Sequence, residues 1–324
     1  MNTAIKNNNG LETVSPHWEL GRIVEDLRQV RERWRRAQLR NRECGGREFP
    51  ARQRLREIVQ LLCAALFPMR LGPVDLRQES EDFFVGHTLD AALSGLLEQI
   101  RLELAYYARH QKTPDEVAIE RQAILIAQNF ANDLPAIRAI LDTDVEAAYH
   151  GDPAASSVDE VLLCYPGVLA IIHHRLAHAL YRLGVPLIAR IVAEIAHSET
   201  GIDLHPGAQI GKSFFIDHGT GVVIGETAVI GDRVRIYQAV TLGAKRFPVN
   251  QNGSLEKGLP RHPVVENDVV IYAGATILGR VTIGHGSSIG GNVWLTRSVP
   301  PGSQVTQANL QDEQLVSAPV EVAP

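Results

Sequence analysis

The stretch Ile216–Leu242, IDHGTGVVIGETAVIGDRVRIYQAVTL, places an aliphatic side chain at almost every sixth position. The series runs from Ile216 to Val222, steps by two residues to Ile224, and then continues at intervals of six to Leu242. Small or apolar residues two positions before many of these, and glycine after many, match short strands separated by tight corners. A period of six predicts a parallel β-helix, whose coils bury a shared aliphatic column by stacking on one another.

The same period extends on both sides of this stretch, and three strands of six residues close a triangular coil of eighteen. The fourteen aliphatic positions are Leu204, Ile210, Ile216, Val222, Ile224, Ile230, Ile236, Leu242, Val265, Ile271, Ile277, Ile283, Ile289 and Leu295. Residues 244–263, AKRFPVNQNGSLEKGLPRHP, break the period and are polar with Gly and Pro. They are predicted to form a loop that projects from the coil.

Before Ser198 the apolar residues follow a helical spacing instead. One face of a first helix carries Leu20, Val24, Leu27, Val30 and Trp34, and one face of a later helix carries Val168, Ile172, Leu176 and Leu180. The fold class is therefore α+β, with an all-α domain followed by a parallel β-helix. The predicted boundaries are 1–198 for the helical domain, 199–300 for the β-helix with its loop 244–263, and 301–324 for a mobile tail.

The composition of the chain argues against several classes of binding partner and against a membrane location. The chain has 324 residues and a formal net charge of -5, which argues against nucleic acid as the main partner. The basic run Arg28–Arg42 is interleaved with acids and apolar residues, so it is interpreted as a solvated amphipathic helix. Three cysteines without a CxxC pair suggest neither a disulfide framework nor a thiolate zinc site. No signal peptide or apolar run of membrane length is visible, so a cytoplasmic protein without membrane contact is expected.

The segments DLHPGAQIG, DHGTGVVIGETAVIGD, VTLG, RHP and YAGATILG, after a helical N-terminal half, resemble serine O-acetyltransferase. The resemblance covers about Asp152 to Pro301, and these motifs together are more specific than the hexapeptide repeat alone. It implies a left-handed β-helix and acetyl transfer from acetyl-CoA to the L-serine hydroxyl, in cysteine biosynthesis. Acetyl-CoA would be a co-substrate, and neither a cofactor nor a metal is implied.

Acetyl transfer to a hydroxyl needs a base, a group that orients the base, and anchors for the two charges of the amino acid. His218 is the candidate base, because a histidine with a free pKa of about 6.5 is largely unprotonated at neutral pH. Asp203 precedes it by a little less than one coil, so its carboxylate could orient the imidazole. From spacing alone, the two could equally be a pair that caps a corner.

By resemblance, Asp203 and His218 correspond to the catalytic dyad of the family. Asp152 and Asp217 match the acids that receive the substrate ammonium group. Arg261 and His262 match groups that bind the carboxylate and hydroxyl from a neighbouring subunit. The alternatives are an Asx turn at Asp152 and a solvated loop charge at Arg261.

The resemblance also implies a groove for acetyl-CoA between adjacent subunits, with contacts at Ala244, Ala273 and Gly291. It implies a homotrimer or a dimer of trimers. The chain ends in EVAP and lacks the terminal isoleucine that inserts into cysteine synthase in many members, so that partner is not expected. The long loop before RHP is a further departure from the compact members.

Three other functions are compatible with parts of the sequence. The same fold could acylate another amino acid, a sugar or an antibiotic, although Asp152, Asp217 and Arg261 favour an amino acid. A γ-type carbonic anhydrase would hold zinc with three histidines, but the spacing of His205, His218, His262 and His285 is irregular. A scaffold without activity would need none of the candidate site residues.

Overall fold

The computed structural model describes residues 18–38, 49–108, 115–246, 250 and 252–308. The chain divides into two compact units, Met1–Glu48 and Phe49–Pro324. In the first unit the described segment contains helix α1, Leu20–Ala37. Its predicted apolar face is exposed, and its charges pair along the helix, with Arg22 bonded to Glu19 and Arg28 to Glu25 at 2.6 Å each. α1 is thus an amphipathic helix with a solvated charged face.

The helices of the second unit pack around a shared apolar core. They are α2 Arg52–Leu66, α3 Pro68–Leu71, α4 Glu81–Ala108, α5 Glu116–Gly151, α6 Val158–Cys164, α7 Pro166–Arg182 and α8 Pro186–Thr200. Local signals explain several ends: the Asp115 carboxylate accepts from the Ala118 N–H at the start of α5, and Gly201 ends α8 with φ +70°. No described helix is long and apolar enough to cross a membrane.

Fourteen short strands follow the helices. They are β1 Asp203–Leu204, β2 Gln209–Ile210, β3 Phe215–Ile216, β4 Val223–Ile224, β5 Val229–Ile230, β6 Arg235–Ile236, β7 Thr241–Gly243, β8 Val264–Val265, β9 Val270–Ile271, β10 Thr276–Leu278, β11 Thr282–Ile283, β12 Ser288–Ile289, β13 Trp294–Leu295 and β14 Gln304–Val305. They form three parallel sheets in the orders β1-β4-β7-β10-β13, β2-β5-β8-β11 and β3-β6-β9-β12-β14. The predicted parallel β-helix is confirmed, and thirteen of the fourteen aliphatic positions are fully buried, with Ile210 half-buried.

The register of the sheets shows where the period is interrupted. Val223 pairs with Thr241, 18 residues along, whereas Phe215 pairs with Arg235, 20 residues along. The two extra residues lie between β3 and β4, at the corner formed by residues 217–222. The larger interruption, at residues 244–263, lies between β7 and β8, and β5 still pairs with β8 across it, with Val229 opposite Val264, 35 residues along.

A buried ion pair fastens the helices to the first coil. Arg175 on α7 contacts Asp144 on α5 at 3.1 Å and also bonds to the carbonyl groups of Ile210 and Gly211. The Asp144 carboxylate in turn accepts from the Phe214 N–H at 2.8 Å. Because the pair is fully buried, these shared backbone contacts are what offset its desolvation. They bring the carboxyl end of α5 close to β3.

The chain stays in the β-helix beyond residue 300, the boundary predicted for the tail. β14 pairs with β12, and the Val305 side chain is buried beneath the last coil. The period of six does not predict this last strand, because Val305 follows Leu295 by ten residues, after the turn SVPPGS. The remainder of the predicted tail, 309–324, lies outside the described residues.

Candidate active site

The enlarged corner at residues 217–222 presents His218 to solvent. Its side chain is 71% exposed and its backbone is left-handed, with φ +59°. Five other described non-glycine residues at corners share this conformation, so it is a property of the fold and not of the site. Gly219, at φ +88°, is different, because a Cβ atom there would lie 2.4 Å from Cδ1 of the buried Ile202. The extra residues therefore place the exposed imidazole at a corner whose next position, 219, has room only for glycine.

Asp217, beside this histidine, is buried and held by a cation. Its Oδ1 atom lies 3.9 Å from Nε2 of His218, and its Oδ2 atom accepts from Nη2 of Arg235 at 2.7 Å. The central carbon of the Arg235 guanidinium lies over two rings, 5.0 Å from the Phe215 centroid and 4.7 Å from that of Tyr237. Arg235 was not predicted from the sequence, because one coil is 20 residues long across this corner and the separation of 18 residues from Asp217 does not match it.

Asp152 joins the same group from the end of α5. One carboxylate oxygen accepts from the Ala154 N–H at 2.8 Å, which is the alternative Asx turn, and the other accepts from the Tyr165 hydroxyl at 2.6 Å. The hydrogen bond from Tyr165, followed by that from Ala154, lowers the pKa of Asp152, and the charges of Arg235 and His218 act in the same direction. The same hydrogen bond raises the pKa of Tyr165 to about 12. The Asx turn is thus present, and the same carboxylate interacts electrostatically with Arg235 and His218.

Arg261 and His262 are gathered at a different corner. Arg261 donates to Glu226 at 2.6 Å, so it is not a solvated loop charge, and Glu226 also accepts from the Tyr181 hydroxyl at 3.0 Å. Burial, followed by the neighbouring Arg261 charge, lowers the pKa of His262 to about 4. Nδ1 of His262 accepts from the Thr227 N–H at 3.1 Å, which places the proton of the neutral ring on Nε2.

Asp203 lies apart from His218 in this chain. Among the described residues, the carboxylate within 4.0 Å of the His218 imidazole is that of Asp217, not that of Asp203. Asp203 is half-buried beside α8, and one of its oxygens lies within 4.8 Å of ligand atoms of Glu194 and His197. The predicted orienting role of Asp203 stays a prediction.

The three small residues predicted to line an acetyl-CoA groove fall at two corners. Ala273 and Gly291 occupy successive coils of one corner, where a Cβ atom on Gly291 would lie 3.3 Å from the Ala273 carbonyl oxygen. Ala244 follows β7 and belongs to the corner of the Arg261 segment. These two corners also carry the His218 group and the Arg261 group respectively, and one strand, β4, separates them.

Comparison with known proteins defines the class. The family model for the bacterial transferase hexapeptide (six repeats) matches residues 262–297. The chain is 59% identical over 271 residues to a serine acetyltransferase of Synechococcus elongatus, which covers 83% of this chain and 85% of the relative. It is 51% identical over 162 residues to a serine acetyltransferase of Mycobacterium tuberculosis, over 50% of this chain and 67% of the relative.

Two solved structures agree with these relatives. Serine acetyltransferase 1 of Entamoeba histolytica, in complex with L-cysteine, has a TM-score of 0.65 and 38% identity over 77% of this chain and 86% of its own. Isoform 3, in complex with cysteine, has a TM-score of 0.64 and 36% identity over 81% and 88%. The left-handed β-helix is thereby confirmed, and fold and repeat define a hexapeptide-repeat transferase. The chain belongs to the serine acetyltransferase family.

Proposed function

We propose that this chain transfers the acetyl group of acetyl-CoA to the hydroxyl group of L-serine. The observation that carries the proposal is the convergence of Asp152 and Asp217 on the exposed His218, in a member of the serine acetyltransferase family. Two carboxylates beside a base fit an acceptor that carries an ammonium group next to its hydroxyl. The Entamoeba relatives that bind cysteine support an amino-acid site, since cysteine and serine carry the same two charges.

The reaction would be a single displacement. The His218 imidazole takes the proton of the serine hydroxyl as its oxygen forms a bond to the thioester carbonyl carbon. The carbon–sulfur bond then breaks, and the leaving thiolate receives the proton from His218. A positioned base of this kind contributes roughly 10²- to 10⁴-fold to the rate.

The acceptor carboxylate would be bound by Arg261 and the hydroxyl by His262 of a neighbouring chain. Within one chain these residues lie at another corner from His218 and contact Glu226 and Thr227 instead. A trimer that brings the corner of one chain against the next would complete the site. Ala244 on one side and Ala273 and Gly291 on the other would then face a common groove for acetyl-CoA.

The geometry gives the carbonic anhydrase alternative no support. Within the described part of the chain, the group of His, Asp and Glu with metal-ligand distances is Glu194, His197 and Asp203, which contains one histidine and not three.

The test is release of free thiol from acetyl-CoA with L-serine, a panel of other amino acids, and sugars. We expect release with L-serine and a fall of at least 10²-fold in kcat for His218→Ala. The matched control is His285→Ala, which removes another exposed corner imidazole, paired with Asp268 at 3.4 Å, and should leave the rate unchanged. Release with a different acceptor would change the substrate, and no release with any acceptor would favour a scaffold.

A further inference from the structure

Arg235 is a cation that bonds to one of the two carboxylates that the proposed function assigns to the substrate ammonium group and interacts electrostatically with the other. It donates to Asp217 at 2.7 Å, and its charge helps to lower the pKa of Asp152. Its Nη1 atom lies 3.7 Å from the point that a Cβ atom on Gly151, the neighbour of Asp152, would occupy. One guanidinium thus bonds to Asp217 and lies close to the backbone that carries Asp152.

The surroundings hold this guanidinium firmly. The central carbon of the guanidinium lies over the rings of Phe215 and Tyr237, and both rings attract the cation through their electron-rich faces. Its Nε atom is buried without a hydrogen-bond partner among the described residues. The ion pair with Asp217 and the aromatic faces, and not a backbone acceptor for Nε, therefore fix its position.

The charges around His218 indicate what the Arg235–Asp217 ion pair does. Oδ1 of Asp217 lies 3.9 Å from Nε2 of the imidazole, beyond hydrogen-bond distance, so the carboxylate would have to turn to form a direct ion pair with it. The groups that face it are Asp217, Asp152 with its partner Tyr165, and Arg235. With Arg235 in place, one of the two negative charges is neutralised, and the remaining one is balanced by a single ammonium group.

We propose that Arg235 is a positioning residue, which turns Asp217 away from His218 and leaves the pocket the net charge that one ammonium group neutralises. This inference rests on the proposed function. Without Arg235, the Asp217 carboxylate can rotate to pair with the protonated imidazole, so that a larger part of the enzyme is inactive at neutral pH.

The test compares Arg235→Met, which keeps the length but removes the charge, with Arg235→Lys. For Arg235→Met we expect the acidic limb of the pH profile of kcat/KM for serine to move up by about one pH unit. Activity would fall about tenfold below that limb and recover at high pH. Arg235→Lys should restore most of the wild-type profile, and KM for acetyl-CoA should be unchanged in both variants.

The control is Arg233→Met, two residues away, which breaks an exposed pair with Asp268 at 2.6 and 2.7 Å and should not move the profile. In an Asp217→Asn background, Arg235→Met should cause no further shift. A uniform loss of rate at every pH, or an unmoved limb in a variant that melts like wild type, would overturn the inference. Absence of serine-dependent release in the wild-type chain would instead overturn the proposed function.

Discussion

Asp152 depends on a single hydroxyl group for its orientation toward the enlarged corner. Its other oxygen is occupied by the turn at Ala154, so the oxygen bonded to Tyr165 is the one whose direction a side chain controls. A hydrogen bond to a charged group contributes about 1.5–3 kcal/mol when buried, and less at a half-buried site such as this one. The hydroxyl of Tyr165 should therefore matter to substrate binding more than to the fold.

We expect Tyr165→Phe to raise KM for serine about five- to tenfold, a loss of about 1–1.4 kcal/mol, with kcat changed less. Steady-state kinetics with serine varied at saturating acetyl-CoA would measure it. Tyr149→Phe is the matched control, since that tyrosine also lies near the end of α5 but its hydroxyl makes no hydrogen bond within the described residues. An equal rise in both variants would show that the effect is not specific to Asp152.

At the scale of an element, the corner 217–222 is shaped by Gly219. Alanine there would need a left-handed backbone and would place its Cβ atom against the buried Ile202. The two costs together are about 2–4 kcal/mol.

We expect Gly219→Ala to lower the free energy of unfolding by that amount, as measured by chemical denaturation. Gly286→Ala is the control, because its φ of +66° is also left-handed but nothing lies within 4 Å of the added atom. That variant should cost about 1–2 kcal/mol. Equal losses would mean that packing against Ile202 contributes nothing.

The strands of the β-helix could be predicted from the sequence because they repeat at a fixed interval. Features that depend on contacts between residues far apart in the chain could not. The aliphatic column follows from a local period, so Leu204 to Leu295 were assigned correctly, including the step after His218. The end of α5 at Gly151 has no such local period, because the burial of Asp144 and Val145 in its last turns depends on neighbouring elements. The Arg235–Asp217 pair was not predicted because it depends on which strands stack. The spacing that makes Asp203 a candidate carries no information on its neighbours in α8, and its orienting role stays a prediction.

At the scale of the whole molecule, buried and half-buried histidines make the free energy of unfolding sensitive to acid. Burial is the largest cause that lowers the pKa of each of five: His173, His174, His178, His205 and His262. The unfolded chain takes up these protons near pH 6.5, before the folded chain does, so stability is present above that pH and is lost as the pH falls. Asp144 opposes this in part, because burial raises its pKa to about 6 and the folded state then gains a proton first.

The contribution of one histidine can be isolated with His174→Leu. Each buried histidine costs up to about 1.4 kcal/mol per pH unit below 6.5, so the loss of stability between pH 7.5 and 5.5 should be about 1 kcal/mol smaller in this variant. Denaturant unfolding at the two pH values would measure it. The exposed His285→Leu should behave like wild type, and an unchanged pH dependence in His174→Leu would contradict the assignment.

The two interruptions of the period have a consequence for how such a chain can change. Strands on either side of the extra pair at 217–222, and on either side of residues 244–263, keep their neighbours and their inward column. The number of residues at these corners can therefore change, whereas the number along a strand cannot. At these two vertices of the triangle the chain carries additional surface while the inward side chains of the flanking strands keep their places in the column, so descendants of such a chain could gain or lose surface there without a new core.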